Sequence, residues 1–165
     1  MSDVLNHASL AYPMTKMNFL VNVPDLSGAM AAFTEVSGIE ATVDVIEFRQ
    51  GNAHSLAPVK IPGLVHHGNI TLKMGYTIGN GFKQWVQDCV SETRGAMNRK
   101  TITIELLDIR DGSPNATYET TKGNILWLLK DAWVTKYSGP DLNASTSEVA
   151  IETVEIAYEE LTIPD

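Results

Sequence analysis

Apolar and polar side chains alternate with the period of two that a half-buried strand requires at Phe19, Val21 and Val23, a run stopped by Pro24. Asp25 to Gly28 supplies turn chemistry, and a second short apolar segment, Ala29 to Val36, closes on Ser37 and Gly38. Thr42 to Phe48 and Asn69 to Met74 carry a third and a fourth strand pattern. Between them, residues 50–64 contain Gly51, Pro58, Pro62 and Gly63 and read as an extended loop, long enough to serve a purpose. The period then changes. Phe82, Trp85, Val86, Cys89 and Val90 fall at i, i+3, i+4, i+7 and i+8, the apolar stripe of one α-helix over 80–94, with Asn80 as N-cap and Gly95 beyond the last turn. Thr101 to Ile109, Ile125 to Tyr137 and Glu148 to Leu161 are three more strands, separated by the turn-rich segments around Pro114 and Pro140.

This order predicts a mainly β fold: an antiparallel barrel or sandwich of about seven strands, with a single helix between strands four and five. Residues 17–165 form one domain, and residues 1–16, which end near Tyr12 and Pro13 without periodicity, form an N-terminal arm. Two strands break the alternation. Val149 and Ile151 share one face while Val154, Ile156 and Tyr158 share the other, and Ile102, Ile104 and Leu106 give way to Leu107 and Ile109, so each predicts a bulge or a change of buried face. Ile125 to Leu129 is apolar on both faces, which implies that part of its outer surface, Leu126 and Leu128 included, is covered by another chain.

Composition narrows the function. The 165 residues are 44% hydrophobic and 19% charged with a formal net charge of −8, a globular balance with no cluster of Lys or Arg to collect nucleic-acid phosphates. The acid is concentrated late: residues 1–110 hold 9 basic and 10 acidic side chains, residues 111–165 hold 3 and 10. The opening residues Met1 to Ala8 show neither the charged nor the apolar region of a secretory leader, so no signal peptide is read and synthesis in the cytoplasm of the producing cell is expected. The candidate chemistry is sparse. His66 and His67 are neighbours that a strand would point to opposite faces, Cys89 lies on the helix stripe as a small hydrophobe, and Gly75, Gly79 and Gly81 have the wrong spacing for a dinucleotide loop. Spacing neither supports nor excludes a glycosidase carboxylate pair. No metal or cofactor is called for, and a structural or binding protein fits better than an enzyme.

Several segments, in order, carry a resemblance. Tyr12 to Lys16 leads into Phe19 to Val21, and Phe33 to Ile39 is followed by Val45 to Asn52, Lys60 to Leu64 and Asn69 to Lys73. The helix with Trp85 comes next, then Ile104 to Asp108, Asp131 to Lys136, Asp141 with Leu142, and Glu148 to Glu152. Over residues 12–162 the chain resembles the tail tube proteins of contractile phage tails and of phage-like extracellular contractile injection systems. It departs from that family's usual turns at Pro24 to Gly28, Met74–Gly75, Val134 and Tyr158 to Glu160.

The resemblance implies a non-enzymatic structural subunit with the fold shared by tail tubes and secretion rings, assembled as hexameric rings. The rings stack into an inner tube inside a contractile sheath, with baseplate, spike and tube-terminating proteins as further partners. DNA or effector cargo would pass through the channel without tight binding. Tyr12, Leu56, Pro58, Ile61, Pro62, Leu64, Leu126, Leu128 and Trp133 are the candidate contacts between subunits and rings. Glu148, Glu152, Glu155 and Glu159 are the candidate acidic residues of the channel or outer wall. The alternatives are a secreted hexameric ring protein of a bacterial secretion system and, from another class, a soluble β-barrel ligand-binding module or hydrolase.

Overall fold

The computed structural model describes residues 16, 19–24, 26, 33–52, 54–75, 81–91, 98–106, 125–145 and 147–163. Over these the strands are β1 (Phe19–Asn22), β2 (Phe33–Ser37), β3 (Ala41–Phe48), β4 (Val59–His67), β5 (Ile70–Gly75), β6 (Lys100–Leu106), β7 (Ile125–Ser138), β8 (Ile151–Ala157) and β9 (Glu160–Thr162). One helix, α1 (Gly81–Val90), joins β5 to β6. A seven-stranded antiparallel sheet runs β1–β6–β7–β8–β5–β2 with β9 beside β7, while β3 and β4 form a separate two-stranded ribbon. Among the described residues β1 and β2 end the order without pairing to each other, so the barrel is not closed.

The alternation read from the sequence positions the core. Val21, Val23, Ile70, Leu72, Met74, Ile102, Ile104, Val154 and Ile156 all face inward and are buried. α1 adds Phe82, Trp85 and Val86 from its apolar stripe. Phe82 meets Phe33 and Trp85 edge-on, with ring centroids 5.3 and 5.6 Å away. The buried indole Nε1 of Trp85 donates to the Asn98 carbonyl at 2.7 Å, which removes the cost of hiding that N–H.

β7 is the strand on which the sheet turns. Its first half pairs with β6 on one side and β9 on the other, and its second half pairs with β8. Asp131 has φ of 52°, and opposite it the β6 register steps from Ile102↔Leu129 to Lys100↔Ala132, an extra residue on β7. This bulge resets the phase, so Leu129 is buried before it and Ala132 and Val134 after it. Asp131→Val is expected to cost about 1–2 kcal/mol, because a branched side chain is disfavoured at left-handed φ, and Asp131→Gly to be neutral or stabilising. Thermal unfolding of the two variants, separated by roughly 2–8 °C, checks this.

Three expectations are corrected. The phase change foreseen at 148–159 is absent: Glu152, Val154, Ile156 and Tyr158 all point inward, and the glutamate merely occupies a core-facing position. The proposed loop 50–64 is a turn only to Pro58, after which Val59–His67 is a strand. Pro62 is tolerated there because a two-stranded ribbon leaves each strand an open edge on which the missing N–H costs nothing. The predicted last strand is two, β8 and β9, broken at Tyr158 and Glu159. The helix is Gly81–Val90. The N-terminal arm, Asn80, Gly95 and the second anomaly at Leu107 to Ile109 lie outside the described residues.

Candidate assembly surface

β3 and β4 pair from Ala41↔His67 to Phe48↔Val59, with an irregularity beside Asp44, where a Cβ on Gly63 would stand 3.0–3.4 Å from the Asp44 Cβ and carbonyl. Strand alternation divides the ribbon into two faces. Ile46, Phe48, Val59 and Ile61 line one, and Val43, Val45, Pro62 and Val65 line the other. Both faces are bare. Val43, Val45, Ile46, Phe48, Val59, Ile61, Leu64 and Val65 are each between 44% and 71% exposed, and Leu56 in the turn is 85% exposed. An isolated two-stranded hairpin is marginal in water, and one that is oily on both sides has the composition of an element buried elsewhere.

The ribbon is held at its base. Gly38, at φ +86°, lets the chain enter with its Cα against Asn69, where a Cβ would stand 2.5 Å from the carbonyl oxygen. Tyr158 donates its phenol hydrogen to the Glu40 carbonyl at 3.0 Å, and its ring lies 5.2 Å from that of His67. Burial pushes the Tyr158 phenol upward from its ordinary 10.0, so it remains a donor. Its contribution to stability is complete below pH 10.0 and lost as pH rises through the raised folded value. Tyr158→Phe is therefore expected to flatten the alkaline limb of a pH–stability curve measured by denaturant unfolding. Along the ribbon, His66 Nε2 meets Asp44 Oδ2 at 3.0 Å and Lys60 lies 3.9 Å from Glu47, both solvent-exposed pairs of small energetic weight.

The family profile of the T4-like virus tail tube protein gp19 matches residues 15–162. The chain belongs to that tail tube family. The fold agrees with solved members of contractile particles. A cryo-EM structure of the anti-feeding prophage tube-terminating cap superposes with TM-score 0.71 at 24% identity, covering 99% of this chain and 98% of that one. The sheath–tube complex of an extracellular contractile injection system (PVC) in its extended state gives 0.72 at 22% identity over 98% and 97%. The PVC sheath/tube terminator in its extended state gives 0.72 at 25% identity over 95% and 100%. A search of curated proteins finds no match.

In this tail tube protein the predicted contact residues divide between two places. Leu56, Pro58, Ile61, Pro62 and Leu64 lie on the ribbon and its turn and are all exposed. Leu126, Leu128 and Trp133 lie on β7: Leu126 is 41% exposed, and the other two are half-buried. Tyr12 lies outside the described residues. The acidic candidates do not form one stripe. Glu148 is exposed before β8, Glu155 faces away from the core and pairs with Lys136 at 3.4 Å, and Glu159 pairs with Arg99. Glu152 is 1% exposed, with Oε1 accepting from the Tyr137 hydroxyl at 2.5 Å and Oε2 3.3 Å from Lys83 Nζ. In the isolated chain it is therefore no part of an outer wall.

Sequence reasoning missed Val43, Val45, Ile46, Phe48, Val59 and Val65 as a surface. The signal was present: Val43, Val45, Ile46 and Phe48 put apolar residues on both faces of one strand, the same two-sidedness noted at Ile125 to Leu129. Cys89 is half-buried and its thiol is pushed upward, first by burial, which disfavours the thiolate.

Proposed function

We propose that this chain is the repeating subunit of the inner tube of a contractile phage tail or phage-tail-like injection particle. It is made in the cytoplasm of the producing bacterium. Copies close into hexameric rings, the rings stack, and a sheath surrounds the tube, with baseplate and terminating proteins at its ends. DNA or effector cargo passes along the channel, and the subunit itself performs no catalysis.

The observation that carries this reading is the β3–β4 ribbon of a tail tube family member, apolar and exposed on both faces. Such an element gains stability only when neighbours cover it. At roughly 1.5–3 kcal/mol for each fully buried large apolar side chain, its eight exposed residues can supply a strong contact. The ribbon leaves the sheet at one end, so the surface it meets belongs to a different part of the next copy. A heterologous contact of that kind can repeat without closing. The anti-feeding prophage and PVC structures with which the fold agrees are tube, sheath and terminator assemblies, which supports the same partners here.

Negative-stain microscopy and sedimentation of the purified full chain test the proposal. Rings or tubes with sixfold end-on views are the expected result. A stably monomeric chain across the micromolar range, with the ribbon protected from proteolysis, would overturn it.

A further inference from the structure

A cleft of about 170 Å³ opens between α1 and the ends of β5, β7 and β8. Its walls are the apolar Met74, Val86 and Val90, and its floor is Glu152 with Lys83 and Tyr137. Glu152 is 1% exposed, yet its Oε2 has no donor in hydrogen-bond geometry, although Lys83 Nζ stands 3.3 Å away as its ion-pair partner. The ion pair offsets part of the cost of burying this carboxylate, and the oxygen keeps acceptor capacity for a further donor. The cleft is therefore built like a socket for a donor carried on an apolar stem.

Resting on the stacking read above, we propose that the donor is Arg49 of a second copy, carried into the cleft by the turn of its β3–β4 ribbon. Arg49 follows β3 at the far end of the ribbon and is exposed. The neighbouring charges are paired, Lys60 with Glu47 and His66 with Asp44, whereas Arg49 has no partner among the described residues. Its guanidinium offers several N–H donors in a planar fork, and its methylene stem suits walls of Val86 and Val90.

The chain cannot serve its own socket. The ribbon joins the sheet where Tyr158 holds Glu40, while Glu152 lies at the opposite end of β8, roughly 20 Å away at ~3.3 Å per residue. Every residue of β3 is exposed, so the ribbon projects away from the sheet and does not fold back across it. Plug and socket thus sit at opposite ends of one molecule, the arrangement that head-to-tail stacking requires.

Cross-linking of assembled protein decides the matter. In a Cys89→Ser background, Gln50→Cys on the ribbon turn and Val90→Cys on the cleft wall are treated with a short bismaleimide. A ladder of multiples of the monomer is expected, dependent on both cysteines. Tubes that form normally but yield no ladder overturn the socket while leaving the stacking reading intact; wild-type protein that forms no tubes overturns the stacking reading itself. Independently, Arg49→Glu is expected to raise the concentration needed for tube growth roughly tenfold or more, with Arg49→Lys intermediate and monomer melting unchanged. Tubes from Arg49→Glu at the wild-type concentration would also overturn the proposal.

Discussion

Ile46→Asp combined with Phe48→Asp is expected to abolish tube formation while the chain still folds. Both side chains lie on one face of the β3–β4 ribbon and are 53% exposed, so the monomer loses little when they change. An interface that covers them loses about 1.5–3 kcal/mol of burial at each and must also desolvate two carboxylates. Every subunit repeats the loss, so a shift of several kcal/mol per copy moves the assembly threshold by orders of magnitude. Sedimentation and microscopy give the assembly readout, and circular dichroism with thermal unfolding gives the fold. Val45→Asp on the opposite face provides the companion measurement. If either face tolerates charge with tubes unchanged, that face is not covered.

Leu129→Asp is expected to prevent folding outright, and its neighbour Leu128→Asp is not. Leu129 is 0% exposed within the core and pairs opposite Ile102, so an aspartate there buries a charge without a partner. The loss exceeds about 4–5 kcal/mol, a large share of the stability of a domain this size. Leu128 is half-buried on the other face of β7, level with Thr162 of β9. Its replacement is expected to leave a folded chain with weakened self-association. Soluble yield and near-ultraviolet circular dichroism separate the two outcomes. Loss of fold in both would mean that β7 presents no outward surface.

Much of this was legible in the chain itself, and the reasons are particular. Val21, Val23, Ile70, Leu72, Ile102 and Ile104 alternate because one face of a curled sheet is packed and the other is not, so their burial follows from spacing alone. Phe82, Trp85 and Val86 follow from the helical period in the same way. The ribbon did not. Gly51, Pro58, Pro62 and Gly63 are the ordinary vocabulary of loops, and only pairing to β3 shows that Val59–His67 is a strand. Glu152 misled differently: a charged residue at an inward position reads as a change of phase, because sequence does not reveal that Lys83 and Tyr137 converge on it from α1 and β7. The bend at Asp131 was hidden for a related reason, since an aspartate at left-handed φ leaves no local signature beyond tolerance of that conformation. The acidic excess after residue 110 was visible as composition, but its distribution into separate ion pairs was not.

The two borders of the open sheet are chemically unlike. β1 turns the uncharged Leu20 and Asn22 away from the core, whereas β2 exposes Thr34, Glu35 and Ser37, with Glu35 tied to Lys73 at 2.9 Å. Laying β2 against a symmetry-related β2 would bring two glutamates to the same seam, an arrangement that like-charge repulsion penalises. An uncharged selvage and a charged one discourage mirror-image twins and the indiscriminate fibrils that bare strands invite. Lateral contact is thereby biased toward a handed, one-way sequence of subunits, which is the geometry from which a closed circle can be made.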